Sequence, residues 1–164
     1  MSYVIGGETE EGQPVQLGNW EHAETYASAL IEVFNHWIIG WMEMSMVMNI
    51  SGGPSDGNKS SDASIIVNIT ANEFYKQPTY YITAHFSKFL LQGTRRIGLV
   101  SHDDKGIQSV AFKTPENSVI IVLLNKKEVE IHTVIDDAQH GRLEIFLPPR
   151  SVHTLVYSGS SDHT

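Results

Sequence analysis

The chain has 164 residues, a net charge of −8 and no cysteine. This length is enough for one hydrophobic core or two small ones. The acidic charge disfavours nucleic acid as a partner, because phosphate binding requires clustered lysine and arginine. The absence of cysteine excludes disulfides and thiolate chemistry. No apolar run reaches the roughly 18–20 residues of a membrane span, and residues 1–7 lack the basic start of a signal peptide.

The first elements alternate between strand and helix. Tyr3-Val4-Ile5 predicts a short strand, and the acidic, polar residues 8–14 predict a loop. Asn19 is suited to cap a helix, since apolar residues then recur at helical spacing from Trp20 to Ile38. The nearly continuous apolar run of residues 38–48 predicts a strand with both faces covered.

The next unit contains a strand, a connection and a helix. Residues 64–69 form a β-branched apolar run, which predicts a second buried strand, and residues 70–77 are expected to connect it to a helix. Pro78 suits the first helical position because that residue needs no N–H donor. Tyr81, Ala84 and Phe89 would form the helix's apolar face. This alternation favours parallel strands with helical crossovers.

From Arg95 onward, short strands dominate. Thr114-Pro115-Glu116-Asn117 and Asp103-Asp104-Lys105-Gly106 have the composition of tight turns. This spacing of strands predicts an antiparallel sheet or sandwich. The predicted strands cover residues 97–100, 107–113, 119–124, 129–135, 143–147 and 152–157.

Several motifs occur in a fixed order along nearly the whole chain. They are Val15-Gln16-Leu17-Gly18-Asn19-Trp20, Gly40-Trp41, Gly52-Gly53-Pro54, Phe74-Tyr75-Lys76-Gln77-Pro78, His85-Phe86-Ser87-Lys88-Phe89, Arg96-Ile97-Gly98-Leu99-Val100, Val122-Leu123-Leu124-Asn125 and Ser151-Val152-His153-Thr154. In sequence and spacing, these motifs resemble the C-terminal part of lysosomal glucosylceramidases (acid β-glucosidases) of glycoside hydrolase family 30.

The resemblance implies an α+β architecture. The last β/α units of a (β/α)8 TIM barrel would be followed by an antiparallel β-sandwich. Residues 1–92 would be the C-terminal portion of the barrel and residues 93–158 the sandwich. The polar composition of residues 159–164 predicts a disordered tail. The first three quarters of the family's barrel would have no counterpart in these residues.

The resemblance also implies a retaining glycosidase, which needs one carboxylate as nucleophile and a second carboxyl group as acid/base. The acid/base would belong to the earlier part of the barrel. Glu8, which follows the first strand, is the candidate nucleophile, and Glu10 is its rival. A third interpretation is that Glu8, Glu10 and Glu11 form only a solvated acidic loop.

Four positions differ from the family pattern around the sugar. Glu43 and Met44 stand where the family has a substrate-binding acid and a tryptophan that stacks on the sugar ring. Asp56 and Lys59 replace a tryptophan and a sugar-binding asparagine. Glu43 is therefore either a substrate-binding residue or a buried acid with a structural role.

No cofactor or metal site is predicted. The histidines have neither the His-x-x-x-His spacing nor a cysteine cluster beside them. Asn49, Asn58 and Asn68 lie in Asn-x-Ser/Thr sequons, which are glycosylated only in a secreted protein. Asn68 is the weakest acceptor because it lies in a predicted strand.

The resemblance implies hydrolysis of the β-glucosidic bond of glucosylceramide, and a lysosomal location. We expect these residues to be inactive alone, since half of the catalytic pair is missing from them. The alternative is a non-catalytic family member that serves as a binding or interaction module. Its partner would be a homologue or a chain that completes the barrel.

Overall fold

A computed structural model describes residues 3–4, 15–54, 62–102 and 106–158, with only the backbone at 3–4. Glu8, Glu10, Asp56, Asn58 and Lys59 lie outside the described residues, as do most of the turn predicted at 103–106 and the tail predicted at 159–164. The chain divides into two compact units. The first comprises Met1–Val33 and Ile38–Thr83, and the second comprises Phe34–Trp37 and Ala84–Thr164. Neither described helix is long and apolar enough to cross a membrane.

The first unit contains the strands with parallel pairing. Its strands are β1 (Tyr3–Val4), β2 (Trp41–Met42), β3 (Val47–Asn49), β4 (Ile65–Asn68) and β5 (Glu73–Lys76). β1 pairs with β2 in parallel, and β3 pairs with β4 in parallel. β5 pairs antiparallel with β4. The helices are α1 (Trp20–Asn35) and α2 (Pro78–Ser87), and their last residues belong to the second unit.

The predicted start of each helix is confirmed. The Asn19 side-chain oxygen accepts a hydrogen bond from the backbone N–H of His22 at 3.0 Å, so Asn19 caps α1. α2 begins at Pro78. Its predicted apolar face is wrong, however, because Ile82 and Phe86 are the buried residues and Tyr81 is exposed. Ile82 and Phe86 are four residues apart and therefore share a helix face.

The single strand predicted over residues 38–48 is also wrong. β2 and β3 are two short strands separated by residues 43–46. Met42, Met44 and Met46 alternate with half-buried neighbours, and all three are exposed. The apolar composition predicts that both faces are buried, but nothing among the described residues packs on the face that carries these methionines.

β5 lies inside the segment predicted to be a connection. The chain turns at Asn72, which has a φ of 55°. The Asn68 side-chain oxygen accepts a hydrogen bond from the N–H of Ala71 at 3.2 Å. Asparagine tolerates this left-handed conformation better than most residues. The turn returns Glu73–Lys76 antiparallel to β4 as a hairpin.

The antiparallel strands predicted after Arg95 are confirmed in the second unit. Its strands are β6 (Arg95–Ile97), β7 (Ile107–Lys113), β8 (Ser118–Asn125), β9 (Ile131–Asp137), β10 (Gly141–Leu147) and β11 (Ser151–Ser158). Four strands form a sheet in the order β11-β8-β7-β6, and β9 pairs with β10 in a separate hairpin. The turn predicted at Thr114–Asn117 joins β7 to β8, with Asn117 at a φ of 68°.

Strand β8 forms the centre of this unit. Alternate residues Val119, Ile121 and Leu123 belong to a core that includes Leu147 of β10. The intervening residues of β8 are also buried. On the sheet face that carries Phe112, the rings of Phe34 and Phe86 complete an aromatic cluster, and the Phe34 ring lies 5.4 Å from that of Phe112 and 5.7 Å from that of Phe86. Burial on both faces explains why β8 is an unbroken apolar run.

Candidate active site

Glu43 is the described acidic residue at the end of the parallel pair β1–β2. The register pairs Tyr3 with Trp41 and Val4 with Met42, so both strands run toward the same edge. Glu43 is the first residue beyond β2 on that edge and is half-buried. The buried Ser64 hydroxyl donates a hydrogen bond to the Glu43 carboxylate at 3.0 Å. This bond orients a carboxylate at the edge where barrel enzymes carry their active sites.

Tyr26 of α1 lies beside this carboxylate. Burial raises the pKa of the Tyr26 hydroxyl to about 12, the nearby Thr83 hydroxyl opposes the shift, and the charge of Glu43 adds to it. The hydroxyl is buried, yet no described atom has the distance and angle of a hydrogen-bond partner to it. Glu43 is therefore part of a buried polar cluster with Tyr26, Ser64 and Thr83. The sequence analysis identified only the acid.

Met44, the residue after Glu43, is exposed to solvent. Its side chain is 77% exposed, and those of Met42 and Met46 are 64% and 61% exposed. The three side chains form an exposed methionine row along residues 42–46. A thioether chain is flexible and offers no flat ring face, so it cannot present the rigid stacking surface of an aromatic residue. The predicted substrate-binding role of Met44 stays a prediction.

Glu8 and Glu10 lie outside the described residues, so their roles as nucleophile and rival also stay predictions. Asp56 and Lys59 lie outside the described residues too. Within the described residues, no group of three or more His, Asp or Glu side chains is arranged to hold a metal ion.

Gln77 fixes the residues directly before α1. Its side-chain oxygen accepts a hydrogen bond from the N–H of Gly18 at 2.8 Å, and its amide nitrogen donates to the carbonyl of Gln16 at 3.2 Å. Gly18 has a φ of 72°, which favours glycine. Gln77 is buried and follows β5 directly. Two of the sequence motifs thus meet through one side chain, and they hold the loop that precedes α1.

Other motifs have structural roles in the second unit. His85 of α2 shares a hydrogen bond of 2.8 Å with the hydroxyl of Thr154 in β11. Burial lowers the pKa of His85, and the charge of His153 lowers it further. Burial also lowers the pKa of His153. The neutral forms are favoured, and the bond between His85 and Thr154 brings together two sequence motifs that are 69 positions apart.

Two family models match the chain, one over its mixed helix and strand part and one over its all-strand part. A model of the glycosyl hydrolase family 30 TIM-barrel domain matches residues 2–90. A model of the glycosyl hydrolase family 30 beta sandwich domain matches residues 93–155. The predicted α+β architecture, with the end of a barrel followed by a sandwich, is confirmed.

Individual proteins give the same result. The lysosomal acid glucosylceramidase of Mus musculus is 34% identical over 145 residues, covering 88% of this chain and 28% of that protein. SrfJ from Salmonella typhimurium has a similar structure, with a TM-score of 0.85 and 22% identity over 97% of this chain and 35% of that one. The GH30 xylanase C catalytic domain of Talaromyces cellulolyticus has a TM-score of 0.72 and 13% identity over 93% of this chain and 39% of that one. The chain spans a little over a quarter of its mouse relative's length, and it belongs to glycosyl hydrolase family 30.

Proposed function

We propose that these residues form the C-terminal part of a retaining β-glucosidase of the glucosylceramidase type. Residues 1–92 would complete a catalytic barrel, and residues 93–158 would form its sandwich. The observation that carries this proposal is the parallel pair β1–β2. Glu43 directly follows β2, and Glu8 lies four positions after the last residue of β1 in the sequence. Barrel glycosidases draw catalytic groups from this end of several strands.

The chemistry needs two carboxyl groups about 5–5.5 Å apart. In the proposed reaction the Glu8 carboxylate attacks the anomeric carbon while an acid/base from an earlier strand protonates the departing oxygen. Water then hydrolyses the glycosyl ester with the acid/base accepting its proton. Glu43 would accept hydrogen bonds from sugar hydroxyls, because an ionised carboxylate is a strong acceptor. No cofactor is needed for this sequence of steps.

The substrate class follows from the named relative. The mouse protein is a lysosomal acid glucosylceramidase, which supports a β-glucoside, and glucosylceramide in particular, as substrate. The same relative supports a lysosomal location. The similarity in fold to a xylanase does not identify which sugar the substrate contains, since one fold serves several substrates.

The test compares the 164-residue chain with the full-length gene product on a fluorogenic β-glucoside. We expect turnover only from the full-length product, because the acid/base is supplied by residues outside this segment. Turnover by the 164 residues alone would contradict that expectation. A full-length product that neither binds nor hydrolyses any β-glucoside would contradict the proposed function.

The exposed methionine row favours one alternative, a non-catalytic module that associates with a homologue or a barrel-completing chain. The row is an exposed apolar surface that a partner could cover. The same preparations decide between the two functions. A stable complex with a homologue, measured by light scattering, together with no β-glucoside binding, would favour the module.

Met44→Trp should strengthen β-glucoside binding by the full-length gene product. A tryptophan ring at this exposed position restores a flat face for the sugar. We expect a gain of the size that an aromatic pair contributes, about 0.5–1.5 kcal/mol, or roughly 2- to 10-fold in affinity. The measurement is the dissociation constant for a non-hydrolysed glucoside. Met46→Trp is the matched control, since Met46 is similarly exposed. Equal effects of the two substitutions would show that position 44 has no special role in sugar binding.

A further inference from the structure

The Tyr26 hydroxyl is the most unusual polar group among the described residues of the first unit. The residue is 8% exposed, and its oxygen has no hydrogen-bond partner among the described atoms. A buried hydroxyl without a partner opposes folding, because it has lost its bonds to water. Such a group in a native protein calls for an explanation.

The side chains around this hydroxyl differ in what they can offer it. Trp41, Thr83 and Glu43 are its polar neighbours. An indole can only donate a hydrogen bond, so Trp41 cannot receive the phenolic proton. The Thr83 hydroxyl donates to the carbonyl of Thr79 at 3.0 Å and keeps its lone pairs, so it is a neutral acceptor. The Glu43 carboxylate is the one charged acceptor of the three, and bonds to a charged acceptor are the strongest.

The Glu43 carboxylate has acceptor capacity to spare. Ser64 donates to its Oε1 at 3.0 Å, and a carboxylate has about four lone-pair sites. Hydrogen bonds in an unliganded site are often too long and shorten when the site is engaged. The carboxylate can therefore accept a second hydrogen bond, from the buried phenol.

We propose that Tyr26 is a positioning residue for Glu43 and that its hydroxyl donates to the Glu43 carboxylate. The bonds from Tyr26 and Ser64 together fix the orientation in which this carboxylate faces a bound sugar. The role of that orientation in sugar recognition rests on the proposed function, whereas the hydrogen bond between Tyr26 and Glu43 does not depend on it. Tyr26 is carried by α1, Ser64 precedes β4 and Glu43 follows β2, so three separate parts of the first unit define one carboxylate orientation.

The test is a double-mutant cycle on the full-length gene product. Tyr26→Phe removes only the hydroxyl, and Glu43→Met removes the acceptor at nearly constant side-chain length. We expect Tyr26→Phe to lower the thermal unfolding midpoint by several degrees in the wild-type protein. In the Glu43→Met background it should raise the midpoint, since it then removes an unpartnered buried hydroxyl.

Tyr157 provides the matched control. Its hydroxyl donates to the Asp137 carboxylate at 2.8 Å in the second unit. Tyr157→Phe should therefore lower the midpoint by the same amount whether or not Glu43 is present. A rise in the midpoint on Tyr26→Phe in the wild-type protein, or the same shift in both backgrounds, would overturn the proposal.

A spectroscopic measurement separates positioning from packing. In protein labelled with ¹³C at tyrosine Cζ, Glu43→Met should move the Tyr26 resonance and leave that of Tyr157 unchanged. An unmoved Tyr26 resonance would overturn the proposal. Glucoside binding by the wild-type protein is measured separately. If the two residues are coupled but no glucoside binds, the bond stands, and both the proposed function and the link to sugar recognition are wrong.

Discussion

Asn125→Asp should lower the free energy of unfolding by about 3–5 kcal/mol, although it exchanges one amide group for a carboxyl of the same shape. Asn125 is fully buried at the end of β8. Its amide nitrogen donates to the carbonyls of Val129 at 2.9 Å, Leu147 at 3.1 Å and Pro148 at 2.8 Å. These bonds join the four-stranded sheet to the end of β10 within the second unit.

The loss comes from reversing the polarity of one atom. The substitution places a carboxyl oxygen against carbonyl oxygens that had received N–H donors. An ionised carboxyl there would be buried among acceptors, which is costly. The Asn125 side-chain oxygen accepts a hydrogen bond from the N–H of Lys127 at 2.9 Å, and this bond survives the substitution. The destabilisation therefore measures only the loss of the hydrogen bonds that the Asn125 amide nitrogen donates.

The sign of the pH dependence gives a second check. The site disfavours the charged form, so the introduced carboxyl should have a pKa raised above its unfolded value of about 3.9. A raised folded pKa means that stability is retained below the unfolded value and lost as pH rises through the folded one. Relative to wild type, the variant should be least destabilised in acid.

The measurement is denaturant unfolding followed by circular dichroism, from pH 4 to 8. Asn72→Asp is the control, because Asn72 is exposed and aspartate also tolerates its left-handed backbone. We expect the control to change stability by less than about 0.5 kcal/mol. A similar small change for Asn125→Asp would show that its donor bonds contribute little.

The sequence predicted elements whose cause is local. β7 spans Ile107–Lys113 as expected, and Asn19 caps α1 as expected, since a short apolar run between turns and a capping residue both act within a few positions. β5 was missed because its hairpin depends on a single asparagine turn at Asn72. Residues 38–48 were misjudged because composition reveals how apolar a strand is but not which of its faces is covered.

The candidate site was less predictable than the fold because its contacts are distant in sequence. Ser64 lies 21 positions from Glu43, and the amide of Gln77 reaches Gly18 across 59 positions. No periodicity links such residues. Tyr26 was hidden within a helical apolar pattern, where a tyrosine is as well suited to packing as to a polar role. A polar residue within a motif, such as Gln77 before Pro78, is a local signal of such contacts.

Glu8→Gln should reduce kcat of the full-length gene product on a β-glucoside by about 10³-fold or more, the scale seen when an enzyme loses its nucleophile. Glutamine has the same shape as glutamate, but its neutral amide cannot form the glycosyl ester of the retaining reaction. Because the lost step is chemical, KM should change far less than kcat. Denaturant unfolding should be unchanged, since Glu8 is proposed to act on substrate and not to support the fold.

Glu10→Gln is the matched control, with the same chemical change two positions along the same acidic segment. We expect its kcat to remain within about 3-fold of wild type, the range of a surface substitution without a catalytic role. A large loss for Glu10→Gln with little change for Glu8→Gln would assign the nucleophile to Glu10. Little change in both would leave this segment as a solvated acidic loop. The parallel pair β1–β2 would then not mark the nucleophile strand, and the edge that carries Glu43 would need another explanation.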